Sequence, residues 1–187
     1  MIKLIDLIKE EKEKYDYGCA MLYFDFPSQI IKLQDIINPE DISTDNVGGT
    51  GIEYEPHCTL LYGLHDGVTL DEVKNIINKY KFSDLKATGP SLFENEKFDV
   101  LKYDIGYPTR GGAFLHKCNN ELQTLPNTQT FPDYHPHATI AYLKPGLGKK
   151  YVKLFKDKGA SEFTTTPKYA VYSQPDGTKS KIKIEIV

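Results

Sequence analysis

Tryptophan is absent from this chain, and in 187 residues cysteine occurs three times and methionine twice. Cys19, Cys58 and Cys118 are odd in number, scattered and in no metal-like spacing. That excludes a disulfide framework and a thiolate metal site, and points to a reducing compartment. No apolar run approaches the ~20 residues that a membrane-spanning helix needs, and no signal-peptide core is visible, so a cytoplasmic protein without a membrane partner is expected. A basic excess is lacking too: 23 Lys and Arg face 26 Asp and Glu, a formal net charge of −3. Coating long nucleic acid requires a net basic surface or stripe, so no long nucleic acid is expected as partner. A small anionic ligand needs only a few local donors and stays open.

Phosphate-cradling loops are also missing. Gly48-Gly49-Thr50-Gly51 lacks the Gly-Lys-Ser/Thr ending of a P-loop, and Gly146-Leu147-Gly148-Lys149-Lys150 lacks its length, so neither supports an ATPase. The late lysines, from Lys144 to Lys183, read mainly as a solvated face or as edge-strand protection.

What is present is a repetition. His57-Cys58-Thr59-Leu60 and His137-Ala138-Thr139-Ile140 each set a histidine, one spacer, a threonine and an aliphatic residue on strand-like sequence. In a strand, residues i and i+2 share a face, so each tetrad presents an imidazole beside a hydroxyl. A tyrosine follows each at the same offset, Tyr62 and Tyr142.

The surrounding grammar repeats as well. An apolar run from Gly18 to Phe26 reads as a strand, followed by a helix from Pro27 or Ser28 through Ile37. A glycine-rich loop from Asn38 to Gly51, expected to be mobile, leads into the first tetrad. Thr69 or Asp71 caps a helix running to about Tyr80. Strands Ser91–Glu94 and Phe98–Ile105 form a hairpin, and a helix follows from about Ala113 to Leu125. A loop, Pro126–Pro136, enters the second tetrad, and a helix from Gly148 to Lys158 comes after it. Strands Phe163–Tyr172 and Lys179–Val187 close the chain around the turn Gln174-Pro175-Asp176-Gly177. Residues 1–16 read as a short amphipathic helix. The expected fold is α+β: one bilobal domain over residues 1–187, with two pseudo-symmetric strand-and-helix lobes, antiparallel sheets and a central cleft.

Two imidazoles and two hydroxyls on one cleft suit metal-free phosphodiester chemistry. With a reference pKa of ~6.5, one histidine can be neutral and the other protonated near neutrality. The threonine hydroxyls can donate to phosphoryl oxygens. The competing reading is a metal site, since His135-Pro136-His137 sets two imidazoles at i and i+2. No carboxylate or thiolate stands at ligand spacing, so no metal and no cofactor are expected. His65 and His116 belong to no motif.

Paired His-x-Thr-aliphatic motifs half a chain apart resemble the two-histidine (2H) phosphoesterase superfamily. The resemblance spans roughly Cys19 to Tyr172 and assigns the catalytic set to His57, Thr59, His137 and Thr139. Within that group the chain is similar to the phage anti-CBASS phosphodiesterases. The similarity rests on His137 to Gly146, Asn95 to Tyr103 and Tyr172 to Gly177. It implies cyclic di- or trinucleotide substrates and, for a phage-encoded chain, the host cytosol as workplace; a monomer is expected. Two alternatives stand beside it: an RNA-end enzyme acting on 2′,3′-cyclic phosphate or 2′–5′ linkages, as other members of the superfamily do, and a nucleotide-binding module that keeps the cleft without turnover. With no Trp, base stacking is expected from Tyr23, Tyr62, Tyr142 and Tyr172. Further phosphate contacts are expected from Lys102, Arg110 or Lys144.

Overall fold

The strand Gly18–Tyr23 (β1) buries Gly18, Ala20 and Leu22 and half-buries Cys19, Met21 and Tyr23 between them. This is the period-two pattern of a strand with one face on a core and the other on a cleft. The computed structural model of the chain describes residues 15–44, 51–106, 113–129, 131 and 133–187. The expected helix over 1–16 falls almost wholly outside these residues, as does Arg110.

After β1 come α1 (Ser28–Gln34), β2 (His57–Leu64), α2 (Leu70–Ile77), β3 (Lys81–Phe82) and β4 (Leu85–Glu94). They are followed by β5 (Asp99–Gly106), α3 (Ala113–Leu122), β6 (His137–Leu143) and α4 (Gly148–Asp157). The chain closes with β7 (Glu162–Thr165), β8 (Tyr169–Ser173), β9 (Lys179–Ile182) and β10 (Glu185–Ile186). Two four-stranded antiparallel sheets result, in the orders β2-β1-β8-β9 and β6-β5-β4-β7. A short parallel pair joins β10 to β3. Each His-Thr strand is thus the edge of its own sheet, and β2 meets β6 where the two lobes join.

The lobes are not the two halves of the chain. The segment read as one strand from Phe163 to Tyr172 is two, β7 on β4 and β8 on β1, so the chain crosses between sheets here. Pro167 lies at the break, where a missing N–H ends ladder pairing. Likewise Lys179–Val187 splits into β9 and β10, while the first hairpin strand begins at Leu85 rather than Ser91. The helices are shorter than expected: α1 ends at Gln34, α2 at Ile77 and α3 at Leu122.

Local chemistry explains the helix starts. Thr69 and Glu72 form a reciprocal capping box on α2, whose Val73, Ile76 and Ile77 face the core. The buried Asp99 carboxylate accepts from the Gly148 N–H at 2.8 Å and caps α4 from β5. A Cβ at Gly148 would come within 2.6 Å of Leu92, so this close approach requires glycine. One continuous core, including Leu22, Leu60, Tyr103, Leu115, Ile140 and Phe155, runs through both lobes.

The segment expected to be a mobile loop is anchored over its described residues. Asn38 caps a 3-10 turn at Pro39–Asp41, and Asp41 accepts from Tyr151 and pairs with Lys150. Ser43 N–H donates to Tyr142 O at 3.0 Å, and Ile42 and Ile52 bridge to Leu143 and Ala141 of β6.

Candidate active site

Register shows how far the two lobes match. In the β1–β2 pair, His57 stands opposite Tyr23 and Thr59 opposite Met21. In the β5–β6 pair, His137 stands opposite Asp104 and Thr139 opposite Lys102. Both ladders then slip at the same point. Thr59 pairs with Met21 and Leu61 with Ala20, leaving Leu60 as an extra residue; Thr139 pairs with Lys102 and Ala141 with Leu101, leaving Ile140 extra. An extra residue reverses the alternation beyond it. Tyr62 and Tyr142, five residues after their histidines, therefore return to the histidine face, although plain alternation would turn them inward.

The histidines are held alike. His57 Nδ1 lies 2.9 Å from the Glu55 carbonyl and His137 Nδ1 lies 2.8 Å from the His135 carbonyl. A carbonyl can only accept, so each Nδ1 carries its proton and each neutral ring keeps its Nε2 lone pair free for proton transfer. Ring contacts fix the planes: Tyr23 lies tilted on His57 at 5.3 Å between centroids, and Phe93 meets His137 edge-on at 5.0 Å.

Around this matched frame the environments differ. Beside His137, the Lys102 ammonium is buried, donates to Ser91 Oγ at 2.9 Å, pairs with Asp104 and lies 4.1 Å over the Phe93 ring. Burial lowers the proton affinity of His137, and the Lys102 and His57 charges lower it further; the bond to His135 O and the Asp104 charge act the other way without reversing the shift. Burial alone would raise Asp104, but hydrogen bonds from Lys102 and Ser91 hold its carboxyl below the usual value. His57 has instead the Glu53 carboxylate 3.9 Å from its Nδ1, a partner for the ring once it takes a second proton. Chemically, the pair can divide the work of base and acid. Cys19 meets the Thr59 side chain, but burial pushes its thiol up to about 12, so it is no nucleophile at neutral pH.

A cavity of about 700 Å³ opens beside Thr59 and His137, with Tyr62, Phe93, Tyr134 and Tyr142 among its walls. Its volume and mostly apolar, aromatic lining suit a small organic ligand.

The expected site residues divide clearly. His57, Thr59, His137, Thr139, Tyr23, Tyr62 and Tyr142 share the cleft faces of β1, β2 and β6, and the Tyr142 hydroxyl meets the Thr139 side chain. Tyr172 does not belong there. It is 0% exposed, pairs with Ala20 on the core side of β1, and its hydroxyl donates to Val68 O at 3.0 Å. Parity is the reason: on β8 it is Tyr169, Val171 and Ser173 that take the cleft side. Lys144 is also displaced, lying past Leu143 at the far end of β6 from His137, where its N–H donates to Asp41 O at 2.8 Å. Lys102 is on the cleft face, but as the buried partner of Asp104 rather than as a free cation. Among the described residues, no group of three or more His, Cys, Asp and Glu side chains could hold a metal ion, His135 and His137 included. Nor, among them, is any helix long and apolar enough to cross a membrane.

Sequence reasoning missed Phe93, Tyr134, Asp104, Gln34 and Asn119. Tyr134 donates to Thr59 O at 2.9 Å across 75 positions of sequence, and no local pattern announces such a bond. Gln34 and Asn119 had a usable signal: each interrupts the apolar stripe of its helix, beside Ile30 and Leu33 or Leu115 and Leu122.

No protein-family model and no curated protein sequence matches the chain. Solved structures do. That of Kluyveromyces marxianus Usb1 matches with a TM-score of 0.57 at 9% identity, covering 90% of this chain and 98% of that one. Usb1 with uridine monophosphate gives 0.56 at 10% identity and the same coverage. The MHV ns2 PDE domain gives 0.51 at 16% identity, covering 80% and 88%. At such identities the likeness is one of fold: the chain shares the α+β, antiparallel-sheet architecture of these proteins.

Proposed function

We propose that this chain is a metal-independent phosphodiesterase of the 2H type that cleaves 3′–5′ bonds in cyclic di- or trinucleotides. The observation that carries the reading is the matched pair of imidazoles, each with Nδ1 tied to the carbonyl two residues upstream and Nε2 free. In this reading the neutral His137 removes the proton of a ribose 2′-hydroxyl, which attacks the adjacent phosphorus. His57, beside Glu53, takes the part of the acid and gives a proton to the departing 5′-oxygen. Phosphorus gains one P–O bond and loses another, leaving a 2′,3′-cyclic or, after water attacks, a terminal 3′-phosphate. Thr59 and Thr139 donate to the phosphoryl oxygens as charge builds.

A small cyclic ligand, rather than a long strand, is supported by the size of the half-open aromatic cavity and by the net charge of −3. Such a ligand is taken up by a monomer working in the host cytosol, the setting of the anti-CBASS enzymes that the sequence resembles. The test is a substrate panel in EDTA: cyclic dinucleotides, cyclic trinucleotides, RNA ending in a 2′,3′-cyclic phosphate, and 2′–5′ oligoadenylate. Cleavage of the cyclic oligonucleotides is expected. Cleavage of the RNA ends or 2′–5′ linkages alone would replace this reading with RNA-end processing, and binding without cleavage would replace it with sequestration.

A further inference from the structure

The two bulges raise a question of hydrogen bonding. An extra residue leaves its backbone out of the ladder, and a buried carbonyl left unpaired is destabilising. Leu60 and Ile140, the extra residues, are both fully buried. Each of their carbonyls meets a side-chain amide from a helix, at Ile140 as a second donor beside the Glu53 N–H. Asn119 of α3 donates from Nδ2 to Leu60 O at 2.6 Å, and Gln34 of α1 donates from Nε2 to Ile140 O at 3.2 Å. The amides are themselves buried, Asn119 being 2% exposed and Gln34 1%.

We propose that Gln34 and Asn119 are positioning residues: paired, buried amides that lock the two bulges and thereby set His, Thr and Tyr of both motif strands on one face. Their surroundings favour this role over simple packing. Both sit in apolar helix stripes where a leucine would fill the space without the penalty of burying a carboxamide. The Asn119 amide is held in orientation by Gln123, whose Nε2 donates to Asn119 Oδ1 at 2.8 Å.

Gln34 reaches further. Its Nε2 also donates to Glu53 O at 2.7 Å, and the Glu53 N–H donates to Ile140 O at 2.9 Å. Glu53 stands two residues before Glu55, whose carbonyl holds His57 Nδ1. One amide therefore joins the bulge behind His137 to the segment that delivers His57. The other lobe mirrors this clasp. The segment that delivers His137 lies along β2, with Thr128 N–H donating to Gly63 O at 2.8 Å and Tyr134 to Thr59 O at 2.9 Å. Each motif strand is thus bound at its outer edge by the approach to the other, and Gln34 sits at one of the two crossing points while Asn119 holds the Leu60 bulge from behind.

That these residues serve catalysis rests on the phosphodiesterase reading; that they set the imidazoles does not. The experiment compares wild type with Gln34→Leu and Asn119→Leu, and with Val73→Ala, a buried change in α2 that supplies a general loss of stability. The imidazole nitrogens of 15N-labelled protein are followed by NMR through a pH titration. Gln34→Leu is expected to perturb the Nδ1–H tautomer signals of both His57 and His137, Asn119→Leu those of His57 alone, and Val73→Ala neither. In cyclic dinucleotide cleavage, kcat should fall by about tenfold or more with KM little changed, as misplaced reacting groups require. Wild-type imidazole signals in both leucine variants, or the same change in Val73→Ala, would overturn the proposal. Should the signals move as expected while wild type cleaves no nucleotide, the positioning role stands and the phosphodiesterase reading falls.

Discussion

Replacing Lys102 by methionine would give β5 the residue that β1 carries at the matching register, Met21 opposite Thr59. Two effects can be worked out. Breaking a fully buried ion pair by removing one partner costs about 3–5 kcal/mol, because the remaining charge is stranded. Here the pair is buried at one end only: the Lys102 side chain is 4% exposed and that of Asp104 50%. Asp104 can rehydrate and keeps the Ser91 hydroxyl at 2.8 Å, while methionine refills the apolar stem's space beside Phe93. The expected loss is about 1 kcal/mol, or ~2–4 °C in Tm for a chain of this size. The second effect concerns His137. Losing the cation removes a charge that disfavours the imidazolium, and unmatched Asp104 adds one that favours it. Both changes act in the same direction, so the acid limb of the pH–rate profile should move to higher pH. Urea unfolding and kcat/KM from pH 4 to 8 measure the two. A loss of roughly 4 kcal/mol or more would refute the one-sided burial, since that is the figure for a pair sealed at both ends. An acid limb that stays or moves down would refute the charge coupling.

The remaining expectations are simpler. Thr59→Val and Thr139→Val should each lower kcat by about 10²–10³-fold with the fold intact, as loss of one donor to developing charge does elsewhere; steady-state kinetics with circular dichroism decides. Tyr172→Phe should cost about 1 kcal/mol by orphaning the Val68 carbonyl, and should leave catalysis and ligand affinity unchanged, which thermal melts and a ligand titration would show. Stability should fall on acidification just below pH 6.5. The folded-state proton affinity of His137 is depressed, so between its folded pKa and the ordinary value the unfolded chain binds more protons. Urea midpoints across that window should decline in wild type and decline less in His137→Phe.

The tetrads themselves were legible in the sequence because alternation is a local rule: i and i+2 share a face, and His57 and Thr59 obey it. The recurrence of Tyr62 and Tyr142 was visible but not explicable, because an offset of five meets the histidine face only through a bulge, and a bulge is fixed by the partner strand. Tyr172 was misplaced for a related reason. Without the break at Pro167, nothing in the run Phe163–Tyr172 says which parity faces the cleft. Lobe membership was out of reach as well, since β8 returns to β1 after the whole second lobe has been built. The amides Gln34 and Asn119 find their carbonyls 106 and 59 positions away. Such bonds are properties of the tertiary clasp, and sequence displays only the polar interruption of an apolar stripe.

In the proposed reaction two imidazoles on matched strands divide acid and base duties without a metal. Its most direct measurement is the rate of cyclic dinucleotide cleavage in EDTA by wild type, His57→Ala and His137→Ala. A working wild type and a loss of about 10²–10⁴-fold in each variant are expected, with unchanged circular dichroism. Cleavage at the wild-type rate by either variant, or a wild type that works only once metal is restored, would contradict it.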